Sequence, residues 1–313
     1  MMIGSRVWIA GWLSLVFALT LIGAPSRAAE PERFAIASGP VGGAYYRLAG
    51  AVCEAFSGAS TSRATQCLVL PTSGSSENLA RLDENSAEFA ILQSDWLYRA
   101  QAQSVTKLRA VVALEGRMVT VVAGPNSGIL DIEDLKNRRL SFGPEGSAMT
   151  FGGDTLLAAL DWQVDDFSEI VPMPLAAMPG ALCDGRIDAF VLPLVHPDPI
   201  VAESLALCGG RLVNVTGPAI DAALGAWPFM SALNLPAALY DRQTDAVDSF
   251  GLKAILTTTE GADDALVASL TEAMVKRGKD RQALLQGIGA SIHPAAMERL
   301  TALGLVTTPT QNE

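Results

Sequence analysis

Residues 34–37 form a short apolar run, and the loop of residues 38–46 that follows contains three glycines. Apolar residues then recur three or four positions apart as far as Phe56. This succession predicts a β-strand, a glycine loop and an α-helix. The first amides of a helix have no intrahelical partner and the helix dipole favours negative charge there, so this end suits a carboxylate. Glycines also serve a turn through backbone freedom alone, and both interpretations stay open at this point.

Short apolar strands alternate with helices in the first part of the chain. Further strands are predicted at residues 67–70, 89–92, 108–114 and 119–123, with a short helix at 77–82. Such alternation is typical of a mostly parallel sheet that is covered on both faces. In these sheets ligands bind outside the carboxyl ends of the strands.

Three small polar loops follow the predicted strands, at residues 38–43, 72–78 and 93–95. The last two have a structural explanation, because Ser75, Ser76 or Asp95 would also cap the helix that comes next. A pocket requires several polar groups directed at one place. The convergence of three such loops on one sheet edge therefore indicates a binding site.

The pattern restarts after a breaker at residues 124–128, with a strand at 140–142, a glycine loop at 143–147 and a helix. Ser147 is a candidate N-cap, which explains the loop by itself; the functional interpretation makes it a second anion-binding helix end facing the first. The chain returns near residues 227–240 and ends in a strand and two helices.

We therefore predict a first lobe built from residues 29–123 and 228–313, with residues 124–227 inserted as a second lobe. Two crossings between lobes make a hinge and a cleft. Candidate cleft aromatics, each of which could instead belong to a core, are Tyr45, Tyr46, Trp96 and Trp227.

The first 28 residues predict a secretory signal. Arg6 precedes an apolar stretch at residues 7–22, and the small residues around Arg27 match a cleavage site after Ala28. A membrane anchor is the alternative, but the stretch is short and contains polar residues. Loss of the two arginines changes the net charge from −11 to 20 − 33 = −13. Such an acidic chain is a poor partner for nucleic acid or an anionic membrane.

Four cysteines in an exported chain predict disulfides, and four allow three pairings. We favour Cys53 with Cys67 and Cys183 with Cys208, because each pair falls inside one predicted lobe, between a helix and a nearby strand end.

The sequence offers no recognisable catalytic centre. Its two histidines, His196 and His293, are each followed by proline and lie far apart, and no serine nucleophile motif is present. A start-of-helix role is favoured for His293 over metal binding, since no second ligand lies at helical spacing. We expect no catalysis, no cofactor and no metal.

A succession of motifs along nearly the whole predicted mature chain, from about residue 34 to 305, resembles the TAXI-type solute-binding proteins of tripartite ATP-independent periplasmic (TRAP) transporters. The motifs are residues 42–46, 73–78, 93–95, 143–147, 184–189 and 293–296. The chain departs from the family pattern at Ala295, where glycine is usual, and at Thr150, which follows Ser147 by three positions instead of one.

The resemblance implies an α/β, type II periplasmic-binding-protein fold, with two Rossmann-like lobes joined by a two-crossing hinge. It implies a monomeric periplasmic protein that closes on a small organic acid or an acidic amino acid such as glutamate and delivers it to a permease driven by an ion gradient. A sensor-kinase partner would use the same fold. A neutral ligand stays open, because no arginine falls inside the matched loops that hold the candidate ligand contacts; Arg47 and Arg117 are only neighbours in sequence. The candidate ligand contacts are Gly42, Gly43, Tyr45, Tyr46, Ser73, Asn78, Gln93, Ser94, Asp95, Ser147 and Thr150.

Overall fold

A computed structural model describes residues 32–59, 65–103, 107–278 and 280–306. The predicted signal segment, residues 1–28, lies outside them. The described residues form a mixed α/β fold around one curled ten-stranded sheet. The strands are β1 Glu32–Ala37, β2 Thr65–Leu70, β3 Phe89–Gln93, β4 Leu108–Ala123, β5 Arg139–Ser141, β6 Glu169–Ile170, β7 Ala189–Leu194, β8 Arg211–Val213, β9 Met230–Leu235 and β10 Val247–Thr259. The α-helices are α1 Ala44–Ala59, α2 Ser75–Asp83, α3 Ser94–Ala102, α4 Phe151–Leu160, α5 Met178–Cys183, α6 Pro199–Cys208, α7 Pro218–Ala226, α8 Asp264–Arg277 and α9 Pro294–Ala302.

The strand order is β2-β1-β3-β10-β4-β7-β5-β6, and β8 and β9 pair with β4 and β10 off this path. β1 is parallel to β2 and β3, and β5 is parallel to β6 and β7. β10 is antiparallel to β3, β4 and β9, and β4 is antiparallel to β7 and β8. The parallel arrangement predicted from sequence therefore holds at both ends of the sheet and is wrong at its centre.

β4 is one continuous strand where the sequence predicts two. Glu115, Gly116 and Arg117 interrupt the apolar pattern, but the backbone stays extended because β10 pairs with it across the interruption, Lys253 opposite Gly116 and Gly251 opposite Met118. A Cβ on Gly116 would come within 2.9 Å of a methyl of Leu233, so a larger residue here requires the Leu233 side chain to move.

The buried apolar residues form two groups of clusters, one at each end of the sheet. Residues of 34–114 and 254–305 make clusters on both faces of one end of the sheet, which we call the first core. Residues of 118–252 make those of the other end, the second core. The change of core thus falls at residues 115–117 of β4 and at Lys253 of β10. The predicted lobe boundaries at 123/124 and 227/228 stay predictions.

Both expected disulfides form in the structure. Cys53 of α1 is bonded to Cys67 of β2, and Cys183 is bonded to Cys208. The second bond joins the ends of α5 and α6 rather than a helix and a strand. Each disulfide therefore ties elements that are already neighbours.

Among the described residues, no helix is both long and apolar enough to span a membrane.

Candidate functional site

Asn78 holds the predicted polar loops together. It is fully buried, and its amide nitrogen donates to the carbonyl oxygens of Ser38 (2.6 Å) and Ile91 (2.7 Å). Its side-chain oxygen accepts from the hydroxyl of Thr72 at 2.6 Å. These bonds use both amide hydrogens and the oxygen. Asn78 thus joins the loops after β1 and β2 to strand β3 at one sheet edge, and its predicted contact with ligand stays a prediction.

Ser94 has a similar place in the structure. It is fully buried, its hydroxyl donates to the carbonyl of Phe229 at 2.7 Å, and it accepts from the backbone amide of Lys253 at 3.2 Å. Ser73 is exposed, and its amide and hydroxyl both bond the Glu77 carboxylate, at 2.9 and 3.0 Å. Ser94 therefore fixes the start of α3 against β10, and Ser73 fixes the start of α2.

The glycine loop before α1 is a tight turn. Gly42 has a φ of 80°, a conformation that favours glycine, and a Cβ on Gly43 would lie 2.9 Å from the carbonyl oxygen of Pro40. The Arg47 guanidinium bonds the carbonyl of Gly42 at 2.8 Å. α1 then begins at Ala44, and half-buried Tyr45 and Tyr46 stand in its first turn. The loop thus delivers the amide-bearing end of α1 to the sheet edge.

Tyr45 and Gln93 meet at a small cavity beside the crossing of β4 and β10, which we call the central cavity. Charged residues that the sequence did not point to also line it: Glu115, Arg117 and Lys253. Its volume is about 10 Å³, close to the least that holds one water molecule. In this form the central cavity is too small for an organic solute.

The central cavity combines charge with burial. Burial raises the pKa of Tyr45 to about 12, while Arg117 and a hydrogen bond with Ser75 act to lower it and Asp95 acts to raise it. Lys253 is 5% exposed. Burial lowers the pKa of its ammonium, against the opposing effect of Asp280 and Glu115.

Glu115 lies on the exposed rim of the same region. Burial of its carboxyl raises its pKa, and Arg47 and Lys253 act to lower it. Two cations and one carboxylate thus stand around a partly desolvated space, where an anionic group would find a strong electrostatic partner.

A larger cavity of about 500 Å³ lies between α3 and α4, and we call it the aromatic cavity. Its lining includes the predicted residues Gln93 and Asp95 together with both Trp96 and Trp227. The Gln93 amide donates to Asp95 at 2.9 Å, and Asp95 forms an ion pair with Arg99. Gln93 lines both cavities, so the two cavities share one residue of their walls.

The second predicted glycine loop, residues 143–147, is built differently from the first. The Ser147 hydroxyl donates to the carbonyl of Pro144 at 2.7 Å and accepts from the amide of Met149 at 3.3 Å, and the Thr150 hydroxyl donates to the carbonyl of Ser147 at 3.1 Å. α4 begins only at Phe151, so Ser147 as its N-cap is wrong. Neither Ser147 nor Thr150 lines the central or the aromatic cavity, whereas Phe151 lines the latter.

The sequence profile of the NMT1-like family matches residues 36–308. The chain belongs to the NMT1-like family. Its structure is similar to that of a TctC solute-binding protein from Polaromonas, with 14% identity over 88% of this chain and 89% of that one and a TM-score of 0.53. That likeness supports the fold described above.

Two weaker similarities are to the aliphatic sulphonate binding protein SsuA of Escherichia coli and to ytmK of Bacillus subtilis, a probable amino-acid ABC transporter extracellular-binding protein. SsuA is 16% identical over 87% of this chain and 83% of its own, with a TM-score of 0.45. The ytmK protein is 13% identical over 78% and 91%, with a TM-score of 0.47.

The two histidines of this NMT1-like chain are engaged in structural hydrogen bonds. The Tyr240 hydroxyl accepts from the Asp198 amide at 2.6 Å and is hydrogen-bonded to His196 Nδ1, also at 2.6 Å. His196 Nε2 is hydrogen-bonded to the Thr120 hydroxyl at 2.8 Å. His293 caps α9 by accepting the amide of Ala295 at 3.3 Å, as expected. In the described part of the chain, no three metal-binding side chains cluster.

Sequence reasoning missed the charged residues of the central cavity, although a signal was present. Glu115 and Arg117 interrupt an otherwise apolar strand, as does Lys253 in β10. A charge in a buried strand costs free energy unless it is compensated, so such an interruption marks a site. From the sequence alone, residues 115–117 are predicted to separate two strands, whereas the structure shows one.

Proposed function

We propose that this protein is the solute-binding subunit of a TRAP transporter of the TAXI type. It captures a small organic acid between its two lobes, with glutamate and C4-dicarboxylates as first candidates, and hands it to a membrane permease. The observation that carries the proposal is the meeting of Arg117 and Lys253 with Tyr45 and Gln93 where β4 and β10 join the two cores.

Arg117 is the proposed anchor of the solute carboxylate. A guanidinium holds a carboxylate through two parallel N–H bonds, and such charge-assisted pairs are about twice as strong as neutral hydrogen bonds. Lys253 adds a second cation with little access to water, and the amides that begin α1 add donors. These groups come from both crossing strands and from the first glycine loop.

Closure follows from the size of the central cavity. At about 10 Å³ it excludes any organic acid, so an open form admits the solute and a closed form buries it. β4 and β10 pass between the cores without a loop, so the motion we propose is a bend of paired strands, with the solute binding the closed form more tightly.

The proposal also includes export to the periplasm by the signal in residues 1–28, a monomeric state and the absence of catalysis. The alternative partner is a sensor kinase. Retention of the solute-loaded protein by the cognate permease supports transport, and retention only by a sensor domain would support sensing.

The first experiment is a thermal-shift screen of the chain from residue 29 with glutamate, C4-dicarboxylates and keto acids. A bound acid at 100 times its Kd stabilises the native state by about 2.7 kcal/mol. The acid is then recovered and analysed by mass spectrometry. A shift with an unchanged acid supports the proposal, and consumption of an acid would contradict it.

Arg117→Gln is expected to weaken acid binding at least 30-fold in titration calorimetry, because the carboxylate loses a charge-assisted bond of about 2 kcal/mol or more. Arg186→Gln is the matched control: Arg186 is exposed and outside both cavities. Equal affinities of the two variants would remove Arg117 from the site.

A further inference from the structure

The aromatic cavity collects aromatic side chains from both cores. Five of its lining residues are aromatic: Trp96, Tyr98, Phe151, Trp227 and Phe229. Trp96 and Tyr98 stand on α3, beside the first core, and the other three pack partly against the second core. The rings of Tyr98 and Phe229 lie 5.2 Å apart between centroids. Rings from both sides therefore face one space.

The rings that line the aromatic cavity are not fully buried in either core. Trp96 is 40% exposed and Tyr98 is 37% exposed. Trp162 provides the contrast, since it packs against Phe167 with a centroid distance of 6.1 Å and is covered by the ammonium of Lys136 at 4.7 Å. Partly open aromatic surface around about 500 Å³ has the size and lining of a small-molecule pocket.

The charges around the aromatic cavity disfavour a second carboxylate. Arg99 is already paired with Asp95. Asp154 is exposed in the first turn of α4, and it forms no ion pair within the described residues. A dicarboxylate with one end at Arg117 would bring its other end towards this uncompensated charge, which repels it.

We propose that the solute is an aromatic carboxylic acid, whose carboxylate binds at Arg117 and whose ring binds in the aromatic cavity. The inference rests on the proposed function. Gln93 connects the two parts of the proposed site, because it lines both cavities. A ring between tryptophans gains both buried area and favourable stacking geometry.

The probes are benzoate, phenylacetate and 3-phenylpropionate, which vary the spacer, with cyclohexylacetate and succinate as comparisons. Two of the three tryptophans after residue 28 line the cavity, so intrinsic fluorescence reports binding directly. We expect one aromatic acid to bind about three- to tenfold more tightly than cyclohexylacetate, in line with the usual contribution of ring pairs, and more tightly than succinate.

Variants separate the ring subsite from the carboxylate anchor. Trp96→Ala should weaken that aromatic acid at least tenfold and leave succinate unchanged in calorimetry, whereas Trp162→Phe, the control, should change neither affinity. Asp154→Asn should strengthen succinate binding several-fold and leave the aromatic acid unchanged. Circular dichroism checks that each variant is folded.

Each result has a distinct meaning. Tight binding of succinate or glutamate with weaker binding of all three aromatic acids would overturn the inference and leave the proposed function standing. Aromatic binding that is insensitive to Trp96→Ala would overturn the placement of the ring. Binding of no acid at all would overturn both proposals.

Discussion

At the scale of single residues, the sheet edge depends on Asn78. One amide joins the loop after β1, the loop after β2 and the end of β3 through three short buried hydrogen bonds. Next to these segments, at the candidate site, are Tyr45 of α1, Ser75 of α2 and Gln93 of β3. The geometry of the candidate site is therefore set partly by Asn78.

Asn78→Ala is expected to lower the free energy of unfolding by about 3 kcal/mol, because it leaves buried carbonyl groups without a donor. Urea unfolding monitored by circular dichroism measures the loss. Ser76→Ala is the control, since Ser76 is exposed on the same helix. A loss below about 1 kcal/mol for Asn78→Ala would mean that the loops are held by other contacts.

His196 predicts a dependence of stability on pH. Burial lowers its pKa from 6.5 to about 4. Between these values the unfolded chain binds a proton that the native protein does not, so stability falls as the pH drops from about 6.5 to about 4. The contribution lost is roughly 2 to 3 kcal/mol.

The unfolding free energies of the parent and of His196→Gln at pH 7.5 and pH 4.5 measure this contribution. Glutamine does not titrate, so the parent should lose about 2 kcal/mol more than the variant over this range. Equal losses would show that His196 does not titrate differently in the native and unfolded protein.

At the scale of elements, α4 lies close to the sheet because its second and third residues are glycines. A Cβ on Gly152 would come within 2.8 Å of the backbone of Leu192 and Pro193, and one on Gly153 would overlap the ring of Phe142. This close approach brings Phe151 and Asp154 to the aromatic cavity. The position of one wall of the cavity thus depends on the absence of side chains.

Gly153→Ala is expected to destabilise the fold by about 2 kcal/mol through overpacking against Phe142. Gly180→Ala is a matched control, because Gly180 is also the third residue of its helix and has open space around it. That control should be neutral or gain up to about 1 kcal/mol from reduced backbone entropy. Thermal unfolding of both variants tests the difference, and equal shifts would contradict it.

Elements with a clear local pattern could be predicted from the sequence, and those defined by long-range pairing could not. The run of residues 34–37, the spacing in α1 and the turn signals around α2 fix their structures locally. The unbroken course of β4 depends on pairing with β10, more than 130 residues away. Tyr45 and Gln93 were predicted as candidates from their glycine and polar surroundings, whereas Arg117 and Lys253 come together only through that pairing.

At the scale of the whole molecule, the disulfides stabilise each core without linking the two. Cys53 and Cys67 belong to the first core, and Cys183 and Cys208 join helices of the second. A relative movement of the cores is therefore not restrained by a disulfide between described residues.

Replacement of Cys183 and Cys208 by alanine should lower the free energy of unfolding by about 3 kcal/mol, the entropy contribution of closing a loop of this length. Affinity for the bound acid should stay within about twofold of the parent, since neither cysteine lines the site cavities. Chemical denaturation and calorimetry measure the two quantities. A large loss of affinity would show that this disulfide acts on the site.

The pairing of Met118 with Gly251 brings together the two ends of the segment that forms the second core. Paired residues of antiparallel strands lie about 5 Å apart, so the polypeptide enters and leaves the second core at nearly the same point. A two-residue turn joining Gly116 to Lys253 would close β4 and β10 into an ordinary hairpin. The intervening segment thus has the geometry of a cassette, which a single recombination event could insert, exchange or delete while the strand pairing that receives it is kept.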